Sequence, residues 1–291
     1  MDGVTAREQD LQIDGITLRV RESGDPDGQP VLHFHGTPGC RLEMAWADHL
    51  LADVGVRWVA FDRPGYGGST PTAFSVGSVA QMALQVADQY GLERFRTSGW
   101  SGGGPFALGT AAIAGERVEA VGVIAGAGPF QLVPGALDVL SDGDRAAERL
   151  LPGDPVAACA GFLEGFDMAA ALESSIALYN DFEPLLSDSD RRLWSANSEH
   201  LLADMREAMR QGVEGCGWDN VAWIGAWDIH PTTVQCPVLL WYGTEDRMAE
   251  PIHGHWFEEN LPDARLTMRE GEGHLQPFAH LAEMLADLIT A

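Results

Sequence analysis

Short apolar runs alternate with helix-like stretches along much of this chain. Val31-Leu32-His33-Phe34-His35 is stopped by Gly36, and Val56-Arg57-Trp58-Val59-Ala60-Phe61 by Asp62-Arg63-Pro64-Gly65. Ala120–Ile124, Pro237–Tyr242 and Ala264–Met268 repeat the pattern, Arg94–Ser98 is a shorter β-like run, and Ile16–Val20 alternates loosely as an early strand. Runs this short and apolar fit strands buried on both faces of a sheet. Helical periodicity fills the gaps over Leu42–Val54, Val76–Tyr90, Gly104–Ala114 and a stretch from near Pro251. Gly91 is a good C-terminal stop for the second of these. Pro277 opens a last amphipathic helix through Phe278, Leu281, Leu285 and Leu288. Such alternation predicts an α/β fold, a mostly parallel sheet with helices on both faces.

The rhythm breaks between about Phe130 and Ala222, where helical patterns occur without a convincing strand. Asp154-Pro155 reads as an N-cap and first-turn pair. Phe162, Phe166, Ala170 and Glu173–Ile176 follow at a spacing near 3.6. Ser187-Asp188-Ser189-Asp190 opens a further helix whose expected buried face is Leu193, Leu201, Leu202, Met205 and Met209. The expected division is a core of residues 1–129 and 223–291, with a helical insertion, 130–222, over one end of the sheet.

Composition narrows the function. The chain has 291 residues, enough for one large domain with an insertion. A formal charge of −25, with all 18 basic residues arginine, argues against nucleic-acid and anionic-membrane partners. No apolar run approaches the ~18 residues of a membrane helix, and the first residues lack an apolar signal core. The four cysteines, Cys40, Cys159, Cys216 and Cys236, are scattered without metal spacing. Free thiols and a cytoplasmic location are expected, with no metal or organic cofactor.

The chemistry centres on Gly99-Trp100-Ser101-Gly102-Gly103, between the β-like run and the Ala-rich helix. A serine between glycines at a strand-to-helix turn sits on a sharp bend with its hydroxyl exposed. Its base is expected from His274 in Gly271-Glu272-Gly273-His274, and the acid that orients the base from Asp246 in Gly243-Thr244-Glu245-Asp246. Glu245 is the rival acid, its neighbouring position fitting solvent or a helix cap. Each member of the trio follows a predicted strand. An acyl-transfer site also needs oxyanion donors. The N–H groups of Gly102 and of Thr37, in His35-Gly36-Thr37-Pro38-Gly39, are the candidates. Trp100 and His35 are candidate substrate contacts, although for His35 a brace for its own loop is the preferred role, and His33 reads as strand filler.

These motifs, with Asp62-Arg63-Pro64-Gly65-Tyr66-Gly67-Gly68-Ser69, span residues 31 to 275 and resemble those of the α/β-hydrolase superfamily. The resemblance implies an eight-stranded, mostly parallel sheet with a helical cap after the sixth strand. It also implies Ser101 as nucleophile, Asp246 as acid and His274 as base, and a structural turn for Asp62–Ser69. The His35–Gly39 loop is similar to that of prolyl iminopeptidases, which carry glycine where Thr37 stands. Trp100 and the Gly102-Gly103-Gly104-Pro105 run depart from them. Epoxide hydrolases and haloalkane dehalogenases resemble the scaffold but place an aspartate at the position of Ser101.

The insertion is rich in large apolar residues: Phe130, Leu132, Phe162, Phe166, Met168, Tyr179, Phe182 and Trp194. Where they face a pocket, they suit a small uncharged acyl substrate. Glu214, Trp218 and Asp219 are candidates to bind a polar substrate group or to tie the insertion to the core, the tie being the preferred role. The leading expectation is a serine hydrolase of a small carboxylic ester. The alternatives are an amide, lactone or C–C bond substrate, a prolyl-iminopeptidase-like aminopeptidase, a lyase or cyclisation step on the same trio, or a ligand binder without turnover.

Overall fold

The computed structural model describes residues 6–164 and 172–291. Phe166, Met168 and Ala170 therefore lie outside the described residues. Eight strands form one sheet: β1 (Arg7–Ile13), β2 (Ile16–Gly24), β3 (Gln29–Phe34), β4 (Val56–Phe61), β5 (Phe95–Trp100), β6 (Val118–Ile124), β7 (Val238–Gly243) and β8 (Ala264–Arg269). Their order is β1-β2-β4-β3-β5-β6-β7-β8. The β1–β2 and β2–β4 pairs are antiparallel and the remaining pairs parallel. β1 escaped the hydrophobic pattern because it is an edge strand, exposed along most of its length.

Alternation along the strands builds two cores. Val31, Trp58 and Ala60 face one, while their neighbours Leu32, Val59 and Phe61 face the other. The first core is closed by α1 (Asp48–Asp53), through Leu51. The second is closed by α2 (Val76–Gln89) and α3 (Gly104–Ala114), with Val76, Val79, Phe106 and Leu108 inside. α1 is shorter than the expected Leu42–Val54. Arg41 and Glu43 are held by buried partners instead, Arg41 N–H donating to Asp62 Oδ1 at 2.7 Å and Gly36 N–H to Glu43 Oε1 at 2.6 Å. These bonds keep residues 36–44 in a loop that the helical pattern could not anticipate.

Between β6 and β7 the described residues form helices and no strand. They are α4 (Asp142–Glu148), α5 (Pro155–Phe162), α6 (Ser175–Phe182), α7 (Asp188–Ala208) and α8 (Glu214–Ile224). Asp154 caps α5 with Pro155 in its first turn, and Ser187 and Asp190 form a reciprocal capping box on α7. On α7, Leu201, Leu202, Met205 and Met209 are buried, but Leu193 is half-buried and Trp194 takes the deeper place. α8 runs through the expected boundary at residue 222 and ends at Ile224. α9 (Pro251–Asn260) joins β7 to β8 and sets Phe257 in the second core. α10 (Pro277–Thr290) closes the first core with Leu281, Met284, Leu285 and Leu288, a helical stripe worth about 1.5–3 kcal/mol per buried side chain. No described helix is long and apolar enough to cross a membrane.

Candidate active site

Ser101 stands where β5 turns into α3 through one tight turn, Ser101–Gly103. Its φ is +54°, a left-handed backbone that a serine adopts only under constraint. The constraint is crowding. A Cβ at Gly103 would overlap the Phe34 carbonyl oxygen, and one at Gly102 the Thr37 hydroxyl. Glycine at both positions lets the elbow press onto the loop after β3, and this brings the Gly102 and Thr37 backbones side by side.

A buried polar network holds that loop. Gly36 N–H donates to Glu43 Oε1, and Glu43 Oε2 meets His33 Nε2 at 2.8 Å. Burial pushes His33 down to about 3 and Glu43 up to about 8, so the pair is uncharged at neutral pH. His33 is thus the partner of a cavity-wall carboxyl rather than strand filler. Below the loop, Arg63 forks onto Asp219, Nε to Oδ1 at 2.9 Å and Nη2 to Oδ2 at 2.6 Å, both residues fully buried. Asp219 Oδ2 also accepts from the Thr37 and Tyr66 hydroxyls, each at 2.5 Å. Asp219 lies on α8, so the helical segment is tied directly to Thr37.

His35 does not reach the substrate side. Its Nε2 accepts the Arg63 N–H at 3.1 Å and its Nδ1–H donates to the Gly36 carbonyl at 2.8 Å. The ring is fully buried, and burial, with the Arg63 charge, holds it well below the ordinary histidine range. Both nitrogens are consumed in bracing the loop, which leaves none for a substrate.

His274 and Asp246 meet at the other end of the site. His274 Nδ1–H donates to Asp246 Oδ2 at 2.8 Å, while Asp246 Oδ1 accepts the Met248 and Ala249 N–H groups. Burial pulls the imidazole pKa down, but the Asp246 carboxylate outweighs it and the net shift is upward. Trp100 donates its indole N–H to the His274 carbonyl at 3.1 Å, and its ring lies beside the imidazole with centroids 5.8 Å apart. Trp100 therefore brackets His274 as well as lining the cavity.

Asp190 holds the same loop from α7. Its carboxylate accepts the N–H groups of His274, at 3.1 Å, and Leu275, at 2.8 Å. Ser189 Oγ takes the Gly273 N–H at 3.2 Å. The Ser187–Asp190 stretch, legible as a helix start, gave no sign of this second role.

Ser101 and His274 line one cavity of about 450 Å³, together with Thr37, Trp100 and Glu43. No hydrogen bond joins the Ser101 hydroxyl to the imidazole. One wall is apolar, with Phe130, Leu140, Trp223 and Ile224, and another carries Trp194, Leu201, Asp204 and Met205. Of the large apolar residues singled out between β6 and β7, Phe130, Phe182 and Trp194 reach the cavity. Phe162 and Tyr179 pack among the helices, and Leu132 is exposed. Burial and the nearby Glu43 raise Asp204 well above the carboxylate range, and Cys40 Sγ donates to its Oδ1 at 2.9 Å. Among the described residues, no group of three or more His, Cys, Asp or Glu side chains is arranged to hold a metal ion.

A family model described as alpha/beta hydrolase fold matches residues 29–281. The chain is 28% identical to a pimeloyl-[acyl-carrier protein] methyl ester esterase of Aromatoleum aromaticum, over 89% of this chain and 95% of the relative. It is 30% identical to epoxide hydrolase A of Mycobacterium tuberculosis over 40% of this chain, a match spanning 38% of that relative's length. Among solved structures, the enol-lactonase of Burkholderia xenovorans LB400 superposes with a TM-score of 0.70 at 18% identity, covering 97% of this chain and all of that one.

Proposed function

The chain belongs to the alpha/beta hydrolase fold family, and from that premise we propose that it is a serine hydrolase cleaving a small carboxylic ester through an acyl-enzyme. One observation carries this reading: a strained serine, an Asp-supported histidine and Thr37, whose backbone lies beside that of Gly102, meet at one cavity. In this mechanism Ser101 Oγ attacks the ester carbonyl while His274 Nε2 takes its proton. Asp246 fixes the Nδ1–H tautomer and stabilises the imidazolium. The oxyanion is held by the Gly102 and Thr37 N–H groups, in the field of the α3 N-terminus. His274 then protonates the leaving alcohol, and water, activated by the same imidazole, releases the acid. Catalytic hydrogen bonds commonly tighten only with substrate in place, which accommodates the open Ser101–His274 pair.

Residues 130–224 act as the cap in this reading, and residues before and after them as the core. The apolar Phe130–Trp223 wall suits an uncharged acyl group. The ester esterase relative favours an ester, and the enol-lactonase neighbour makes a lactone the nearest variant, cleaved by the same steps. The aspartate that epoxide hydrolases place at the nucleophile position is replaced here by Ser101, which disfavours epoxide chemistry. The free cysteines fit a reducing, cytoplasmic setting. Ser101→Ala is expected to lower kcat/KM for p-nitrophenyl butyrate by at least ~10³-fold with the thermal midpoint unchanged or raised, since the strained position loses only a hydroxyl. Turnover retained by this variant would end the nucleophile assignment.

A further inference from the structure

His253 is an unused donor in the wall of the cavity. It is the third residue of α9 and only 3% exposed, yet its ring borders the cavity that holds Ser101. Gly128 N–H donates to His253 Nδ1 at 3.1 Å. A ring nitrogen that accepts carries no proton, so in the neutral ring the proton sits on Nε2. Burial favours that neutral ring and pushes the imidazole down to about 4, against the pull of Asp246. Among the described residues Nε2–H has no hydrogen-bond partner, and of the other donors around the cavity the indole N–H groups of Trp194 and Trp223 are likewise unpartnered.

The position is close to the reaction centre. Ala127 N–H donates to the Ser101 carbonyl at 3.3 Å, and the next residue, Gly128, is the one that fixes His253. Phe130 packs on the imidazole with ring centroids 5.0 Å apart, and Trp223 packs on Phe130 in turn. A neutral donor is thus set into the apolar wall, on the same backbone path as the candidate nucleophile. A donor that borders the cavity without a protein partner is left unpaired by a ligand with no acceptor there, so a ligand that supplies one gains over one that does not. The acceptor is uncharged: burial favours the neutral form of Glu43 and Asp204, and the carboxylates of Asp144 and Glu250 outnumber the one arginine lining the cavity, Arg247, a balance that disfavours anions.

We propose that His253 determines specificity, its Nε2–H donating to a second oxygen of the substrate, a carbonyl or ether oxygen other than the scissile carbonyl, lying against the Phe130–Trp223 wall. The proposal rests on the hydrolase reading for taking this cavity as the substrate site. It makes the substrate class an oxygenated acyl compound, such as an oxo- or alkoxy-acyl ester, rather than a plain alkanoate.

The test uses p-nitrophenyl heptanoate and its analogues in which one chain methylene, at position 4, 5 or 6, is replaced by oxygen. His253→Asn keeps an acceptor near the Nδ1 position for Gly128 and removes the Nε2 donor, and His253→Gln returns an N–H near the Nε2 position. The kcat/KM ratio of the best oxygen-containing ester to heptanoate is expected to fall about fivefold to tenfold in the Asn variant and to recover in part in the Gln variant. The same ratio is read as Kd by calorimetry, with matched methyl ketones that need no turnover. A failed hydrolase reading would abolish ester turnover while leaving the ketone ratio measurable. If the Asn variant weakens oxygen-containing and all-carbon ligands alike, or changes neither, His253 is only a structural support and the proposal is overturned.

Discussion

Asp219 and Asp190 both reach from the helices between β6 and β7 to the loops at the end of the sheet, and they hold those loops by different physics. Asp219 meets a fully buried guanidinium and two hydroxyls. Asp190 meets backbone N–H groups and the Ser187 hydroxyl, with no cation bound to it. The loop carrying Thr37 therefore depends on charge balance, and the loop carrying His274 on hydrogen-bond geometry. A helical segment fastened at both places is poorly suited to swing as one rigid lid, because lifting it would release Thr37 and His274 together.

The difference is sharpest where one partner is removed. Asp219→Ala leaves Arg63 charged and buried without its counter-ion, which is expected to destabilise the fold by about 3–5 kcal/mol. Urea denaturation measures this, and a loss under about 1 kcal/mol would mean that the pair does not govern its end of the site. Asp190→Ala removes acceptors but strands no charge, so about 1–3 kcal/mol is expected. Its larger signature is kinetic: a fall in kcat exceeding any rise in KM, since the imidazole is less well held. Asp190→Asn keeps an oxygen for the N–H groups and is expected to recover much of that loss. Wild-type kcat in the Ala variant would remove Asp190 from the positioning role.

The two ends also differ in their response to pH. His33 and His35 have folded pKa values below the unfolded value, so the unfolded chain binds their protons first. Their contribution to stability is complete above about 6.5 and is lost as pH falls toward about 3, the value for His33. His274 is shifted the other way: it contributes stability below about 6.5 that is lost as pH rises through its raised value. As a base it must be neutral, so the acid limb of kcat/KM is expected to inflect above 6.5. Asp190 is one of the charges raising it, and Asp190→Asn is expected to move that inflection down. This is the smallest of the effects, and an inflection that stays in place would mean that the Asp190 charge does not reach the imidazole.

Much of the fold and of the site was legible because each part left a local mark. Five strands announced themselves as short apolar runs and two more as looser β-like stretches, and Ser101, Asp246 and His274 sit in glycine-bearing turns that follow strands. The less legible parts depend on partners distant in sequence. Glu43 looked like one more polar position on a helix, yet it meets Gly36 and His33 below the loop. Asp190 read as a helix cap, and its 84-residue reach to His274 has no local signature. Arg63 was part of a turn motif until Asp219 of α8 closed on it, and His253 sits in the helical stretch from near Pro251 with nothing local to set it apart. His35 stayed open between a substrate contact and the preferred loop brace, because a histidine at this loop looks the same from sequence whether its nitrogens face a ligand or the backbone, and its bonds to Arg63 and Gly36 are those of a brace.

The most direct measurement is covalent. A fluorophosphonate probe, followed by peptide mass spectrometry, is expected to add one phosphonyl group at Ser101, to fail with Ser101→Ala, and to be slowed greatly by His274→Ala. Labelling at another residue, or ester turnover that persists after Ser101 is fully modified, would contradict the serine-hydrolase account.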